Sequence, residues 1–584
     1  MNAATSAVKR TSLRQSHGAD RLPPHQHLQT RRPFSRLVRH LFPPKSRHTC
    51  HAFVLAGCPV GTPAGIATTL ADHVSAFQAA TTRLLAFPGL SMQLRALILN
   101  LCCRPSSSFA HLLRHLPPTA TADPRYPLPP LAFPPAYPHA VHLCFAHHLR
   151  RLALDALADC LQLRRTNLTA APLSSGTDVQ VLLRASDGGV NFPDPLLLSS
   201  PSFLGSFADS LPVLALDPFL ATFLADPAAW PRSPSRVLRA AHDAFSRLAP
   251  LLAGSVTAPD ASCRHQTLRA RLTAPNGSLS LHLLSSAAGH RPQHSFSHAL
   301  FTHITRQLLS DASPLSPLAR ARLRHAAASP SPMLFQMYNI PPDSALSSIA
   351  TQFLYCHRLG IPLPFLPSPP PPHCHPHCPR YSATKGGFPA ATLPLLAHAY
   401  HQCACGATPR RHSRHDALAA IIASAAKTHL RALCDHRRHL ASSITTGTKV
   451  DLVVTDYSRH PNTTAIDITV SCPMLQSHAA AAARDAAALF AARAAEKNNK
   501  HLAGSIAQER AFLPIVFSTL GGIGPPEALH YLDAFFAESY AAERAATGTT
   551  RHTAHLRTSF LQSLLATLTS ATADMASRLT HAAA

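Results

Sequence analysis

Tryptophan occurs once in 584 residues, aromatic side chains make up 6% of the chain, and only 14% of it is charged, with 28 acids against 53 Lys and Arg. No continuous apolar run approaches the ~20 residues that a bilayer-spanning helix needs, so a membrane protein is not expected. The 14 cysteines are spread over a long chain with no secretory signal. That distribution argues against a disulfide scaffold and for reduced thiols, some of them free to ligate metal. No phosphate-binding GxxxxGK[ST] loop, dinucleotide-binding GxGxxG or GxSxG elbow occurs, which removes the commonest nucleotide-binding and hydrolase classes.

What the chain does carry is length, proline, histidine and positive charge. It is too long for one ordinary core, and 46% apolar residues suffice to bury more than one. The 54 prolines and 39 histidines, with abundant Ala, fit GC-rich codon usage better than a functional adaptation. The net charge of +25 makes nucleic acid, DNA or RNA, the first partner to consider and an anionic membrane surface the second. Residues 1–50 hold ten Lys and Arg against the single acid Asp20. They read as a basic disordered tail, either a nucleic-acid-binding arm or an organellar transit peptide.

From Ala64 to Leu116 apolar residues recur at helical spacing, interrupted by Pro88-Gly89 and stopped by Pro105. Helical periodicity returns at HAVHLCFAHHLRRLALDALADCLQL and again around 215–226, 234–252, 294–311 and 315–328, so residues 51–362 form an α-helical region. The proline run in LPFLPSPPPPHCHPHCP marks a linker at 363–380. After it the grammar changes. RHDALAAIIASAAKTHLRALC reads as an amphipathic helix, and KVDLVVTDY and TTAIDITVSC as short strands around a turn. SHAAAAARDAAALFAARAAEKNNKHLAG reads as one long helix, and FLPIVFSTL as a buried strand closed by Gly521, Gly522 and Gly524. Alternating helix and strand is the signature of a layered α/β unit. The glycines fit simple chain reversal better than a phosphate loop.

Asp451 and Asp467 each sit in a strand-like run, and a hairpin between those runs brings both carboxylates to one sheet edge. Paired carboxylates suit Mg²⁺, a hard ion that takes oxygen ligands, can lower the pKa of an attacking water and can stabilise charge on a phosphate. Lys497 and Lys500 lie three residues apart in the following helix. Either is placed to orient a water or neutralise phosphate charge. The plain alternative is turn chemistry for the acids and a solvated helix end for KNNK.

The series RHDAL (Arg414–Leu418), KVDLVV, AIDITVSCP, the Ala-rich helix ending EKNNKH, and FLPIVFSTLGGIG resembles the C-terminal region of retrotransposon-type reverse transcriptase proteins of algae and other protists. The resemblance implies a PD-(D/E)XK, restriction-endonuclease-like domain at 414–540, with Asp451 and Asp467 as the metal-binding acids. The lysine usual two places after the second acid is Thr469 here, and Lys497 or Lys500 from the next helix would replace it. AGCPVGTP, LNLCCRPSSSFAHLLRHLPP and SDGGVNFPDPLLLSSPSFLGSFADSL resemble, more faintly, segments downstream of the polymerase palm. The aromatic-x-Asp-Asp turn of the polymerase is absent, so the chain reads as the back half of a longer element protein, without polymerase activity.

His373, Cys374, His375, His377 and Cys378 precede Cys403 and Cys405 by about 25 residues. Two such pairs supply the four ligands of a tetrahedral Zn²⁺ site, so Cys374, Cys378, Cys403 and Cys405 are candidate ligands of a knuckle completed within 381–413. The expected fold is therefore multidomain: a mainly α-helical N-terminal region, an α/β restriction-endonuclease-like domain with a small mixed sheet, and a C-terminal helix within 541–584. The expected function is DNA nicking with Mg²⁺ in the nucleus, or in an organelle if the N-terminus is a transit peptide. A catalytically dead nucleic-acid-binding remnant and a helical interaction protein with compositional basic bias are the alternatives. No protein partner is implied.

Overall fold

The structure is a computed structural model and describes residues 52–55, 58–61, 63–101, 113, 141–169, 175–233, 235–256, 263–277, 279–335, 345–364, 400, 403, 410–436, 449–456 and 463–577. These are mostly helical, with one small mixed five-stranded sheet. A hairpin of β1 (Ala52–Leu55) and β2 (Cys58–Gly61) precedes α1 (Pro63–Ala86) and α2 (Met92–Leu101). The break between these helices falls at Gly89, whose φ of 83° suits a residue without a Cβ. There follow α3 (Val141–Cys160), α4 (Pro195–Leu214), α5 (Arg236–Val256), α6 (Cys263–Leu272), α7 (Pro292–Leu309), α8 (Pro317–Ala327) and α9 (Ser348–Leu359). Local chemistry sets several of these ends. The hydroxyls of Ser316 and Ser347 accept from Ala319 N and Ala350 N at the starts of α8 and α9, and Gly360, at φ 69°, closes α9.

The C-terminal part begins with α10 (Arg410–His429) and continues through β3 (Leu433–His436), β4 (Leu452–Thr455) and β5 (Thr463–Ser471). Next come α11 (Gln476–Arg484), α12 (Ala486–Ile506), β6 (Ala511–Ser518), β7 (Ile523–Gly524), α13 (Pro526–Ala534), α14 (Ala537–Thr547) and α15 (Arg551–Ser577). Sheet order is β3-β4-β5-β6-β7. The β3-β4, β4-β5 and β6-β7 pairs are antiparallel and β5-β6 is parallel, with α11 and α12 forming the crossover. The Ala-rich segment is thus two helices rather than one. Asp485 leaves helical geometry at φ −154° and its carboxylate accepts from Ala487 N, so this residue starts α12 instead of continuing α11.

Both faces of the sheet are covered. Leu452, Val454, Ile466, Ile468, Ile515 and Phe517 point to a core shared with α10, α13 and α15. The opposite face, with Val453, Ala465 and Val516, lies towards Phe512, Phe490 and Ala494. Double coverage explains why β6, AFLPIVFS, reads as a near-continuous apolar run. Helix α15 also packs on α9 and shares a core with the N-terminal helices through Leu565, Ala566, Ala573 and Ala576. The C-terminal helix is therefore structural cement for both regions.

A buried polar chain runs between them as well. Arg358, 1% exposed, donates to Gly189 O and Ala185 O at 2.7 Å each and to Ser331 Oγ at 2.6 Å. Ser331 Oγ in turn donates to Leu520 O after β6. Gly188 (φ 88°) and Gly189 make the tight turn this needs, since a Cβ at Gly189 would sit 2.2 Å from Leu183 O. Arg358 thus grips the backbone turn at 185–189 that leads towards α4. Most of the linker expected at 363–380 and of the Cys/His segment at 381–413 lies outside the described residues, as do residues 1–50.

Candidate metal centre on the β4-β5 edge

Strand register builds the centre. Leu452 pairs with Ile466, so Asp451, one step earlier, faces Asp467 across the two strands, and Asp451 N donates to Ile466 O at 3.1 Å. Ile466 and Ile468 turn to the α10 side, and Asp467 between them turns to the α12 side. The Asp451 carboxylate accepts from Ile468 N at 2.6 Å, which fixes its direction. In β6 the residue paired with Asp467 is Pro514. A proline without an N–H is tolerated there because β7 pairs with β6 only at Val516 and Phe517.

Helix α12 supplies the cation. Phe490, Ala494, Lys497 and His501 recur at spacings of four, three and four, one helical stripe, and the first two pack on the sheet through Val516. The third therefore also points inward. Lys497 Nζ lies 2.7 Å from Asp467 Oδ2, with the lysine side chain 18% and the aspartate side chain 6% exposed. Lys500 is out of phase with that stripe and is exposed. Of the four residues nominated from sequence, Asp451, Asp467 and Lys497 come together and Lys500 does not. The stripe was the signal that could have chosen between the lysines.

His501 was missed. It is 1% exposed, its Nε2 is 3.9 Å from Asp467 Oδ1, and its ring lies tilted against Phe512 with centroids 5.7 Å apart. Neither ring nitrogen makes a hydrogen bond. Burial lowers its pKa below the ordinary histidine range, and Asp467 only partly opposes this.

The electrostatics are those of two acids sharing one site. Burial first, and the neighbouring Asp467 second, push the Asp451 carboxyl up to about 6, against the opposing pull of Ile468 N–H and Lys497. Thr469 follows Asp467 on the same face and is 7% exposed. Its hydroxyl stands where the resemblance implies a lysine, so the only amine beside Asp467 among the described residues is that of Lys497. The donor set is of the kind a hard divalent cation takes: two neighbouring carboxylates, one of them held above its usual pKa by burial and by the other. Among the described residues no group of three or more His, Cys, Asp or Glu gathers, so any cation here rests on a two-carboxylate site.

The nominated zinc ligands fall differently. Cys374, Cys378 and Cys405 lie outside the described residues. Cys403 is buried in the N-terminal core, and burial and nearby Cys472 raise its thiol well above the ordinary range. Its carbonyl accepts from Arg414 Nη1 at 2.9 Å, and the same nitrogen donates to Thr572 on α15 at 3.2 Å. Arg414 of RHDAL is thus a buried tie between α10 and α15. The glycines after β6 reverse the chain: Gly521 has φ 93°, Ser518 N donates to Gly522 O, and Gly524 lies under Phe490. No helix of the described residues is long and apolar enough to cross a membrane.

Compared with protein-family models and with curated proteins, the chain matches none.

Proposed function

We propose that residues 414–540 form a restriction-endonuclease-like domain that hydrolyses a phosphodiester bond of DNA with Mg²⁺ or Mn²⁺. One observation carries the reading: a buried and a half-buried carboxylate and a lysine, from the start of β4, from β5 and from α12, converge at one place on the sheet. Asp451 and Asp467 would hold the ion, which when bound supplies charge stabilisation at the scissile phosphate and a more acidic water. Lys497 Nζ, anchored by Asp467, would orient the attacking water or neutralise the phosphate oxygen. The water oxygen would bond to phosphorus as the water gives up a proton to solvent, the bond from phosphorus to the bridging oxygen would break, and that departing oxygen would take up a proton from solvent. The positive field of the chain would gather the polyanion. The resemblance to retrotransposon-type proteins supports the same chemistry and a nuclear or organellar DNA target. A zinc knuckle using Cys374, Cys378, Cys403 and Cys405 would add a second grip on nucleic acid.

Thr469 in the usual lysine position favours a second reading, a remnant that binds DNA without cutting it. Conversion of supercoiled plasmid to the open-circular form by the full chain separates the two. The proposal expects metal-dependent nicking that Asp451→Asn and Asp467→Asn each lower by about two orders of magnitude or more. Equal background cleavage by all three proteins, with DNA binding retained, establishes the remnant.

A further inference from the structure

We propose that His501 is a positioning residue for Asp467, holding Oδ1, the carboxylate oxygen turned away from Lys497. The inference rests on the nuclease reading above and adds to it a residue that the sequence motifs did not nominate. Lys497 Nζ is 2.7 Å from Asp467 Oδ2, and Oδ1 faces His501 Nε2 at 3.9 Å. The two groups are four residues apart on α12 and flank the carboxylate from adjacent turns of one rigid helix.

Three features separate His501 from an ordinary core histidine. Its side chain is fully enclosed, yet both ring nitrogens lack a hydrogen-bond partner, and buried imidazoles are rarely left so. The nearest acid is a residue nominated for metal binding. The ring lies against Phe512, with centroids 5.7 Å apart, on the buried side of α12. Closure by roughly 1 Å, a small movement for a carboxylate drawn to a cation, makes Nε2–H···Oδ1 a hydrogen bond. A neutral imidazole is sufficient, since one ring nitrogen then carries the donated proton. Fixing the second oxygen directs the first towards the ion, as outer partners of metal-bound carboxylates do.

The test uses the full chain and Mn²⁺ alone, followed calorimetrically without DNA, alongside plasmid nicking. His501→Phe keeps the ring and its contact with Phe512 but has no nitrogen, and His501→Gln restores an N–H donor. The expected result is Mn²⁺ affinity and nicking lowered about 10- to 100-fold in H501F, with most of both recovered in H501Q and DNA affinity unchanged in each. Should H501F fail to fold, His501→Met serves as the apolar variant. Wild-type Mn²⁺ affinity in the apolar variant overturns the proposal. So does an equal loss in H501Q, because that marks packing and not hydrogen bonding. Asp467→Asn distinguishes the deeper failure: Mn²⁺ affinity unaffected by that change sinks the nuclease reading itself, and the role of His501 with it.

Discussion

Asp451 is half-buried beside a second carboxylate, and its proton-bound form is favoured up to a pH of about 6. A carboxyl whose pKa is higher folded than unfolded stabilises the folded state below its unfolded value, and this contribution is lost as pH rises through the folded one. The window runs from about 3.8 to about 6. Asp451→Asn should therefore stabilise the metal-free protein at pH 7.5 by about 1–3 kcal/mol while changing little at pH 4, measured by denaturant unfolding at both pH values. A gain equal at both would show that the carboxyl is not perturbed. The two lysines are told apart at the same scale. Lys497→Met should lower nicking about a hundredfold, whereas Lys500→Met, removing an exposed and salt-screened charge, should stay within about threefold in 0.15 M salt. The acid pair was legible in the sequence because strand alternation and a hairpin bring Asp451 and Asp467 together. The lysine was not chosen, since KNNK read alone gives no helical phase, and only Phe490 and Ala494 upstream supply it.

Elements were read most easily where periodicity was long and clean. The helices around 234–252, 294–311 and 315–328 are α5, α7 and α8 to within a few residues. Strand β3 was missed because Leu433–His436, LCDH, is short, polar and largely exposed at the sheet edge, and such a strand shows little alternation. The single long Ala-rich helix became two because Asp485 bonds Ala487 N locally, a competition that Ala propensity conceals. The turn after β6 positions α12, and Gly524 is its tightest point: a Cβ there would lie 2.4 Å from Phe490 Cγ. Gly524→Ala should thus destabilise the protein by about 1–3 kcal/mol and loosen the stripe that carries Lys497. Thermal unfolding and nicking together check this. Unchanged stability would mean that Phe490 moves aside freely.

At the level of the whole molecule, the helical region and the sheet are tied by Arg358, Ser331 and Leu520, by Arg414 on Cys403 O, and by α15. None of this was legible beforehand, because contacts between residues far apart in the chain leave no local pattern. Arg358→Met leaves Gly189 O, Ala185 O and Ser331 Oγ without their buried donor and should cost about 3 kcal/mol or more in denaturant unfolding. A loss below 1 kcal/mol would show that water replaces the guanidinium. The net charge of +25 predicts DNA affinity falling about tenfold or more between 50 and 200 mM salt. Salt-insensitive binding would make the charge a compositional accident.

The account stands on a divalent cation shared by Asp451 and Asp467, and calorimetric titration of the full chain with Mn²⁺ at pH 7.5 addresses that directly. Wild type should bind at a site whose affinity falls at least about tenfold in Asp451→Asn and in Asp467→Asn while all three proteins remain folded. Binding indifferent to both substitutions, or no binding by the wild type, would contradict it.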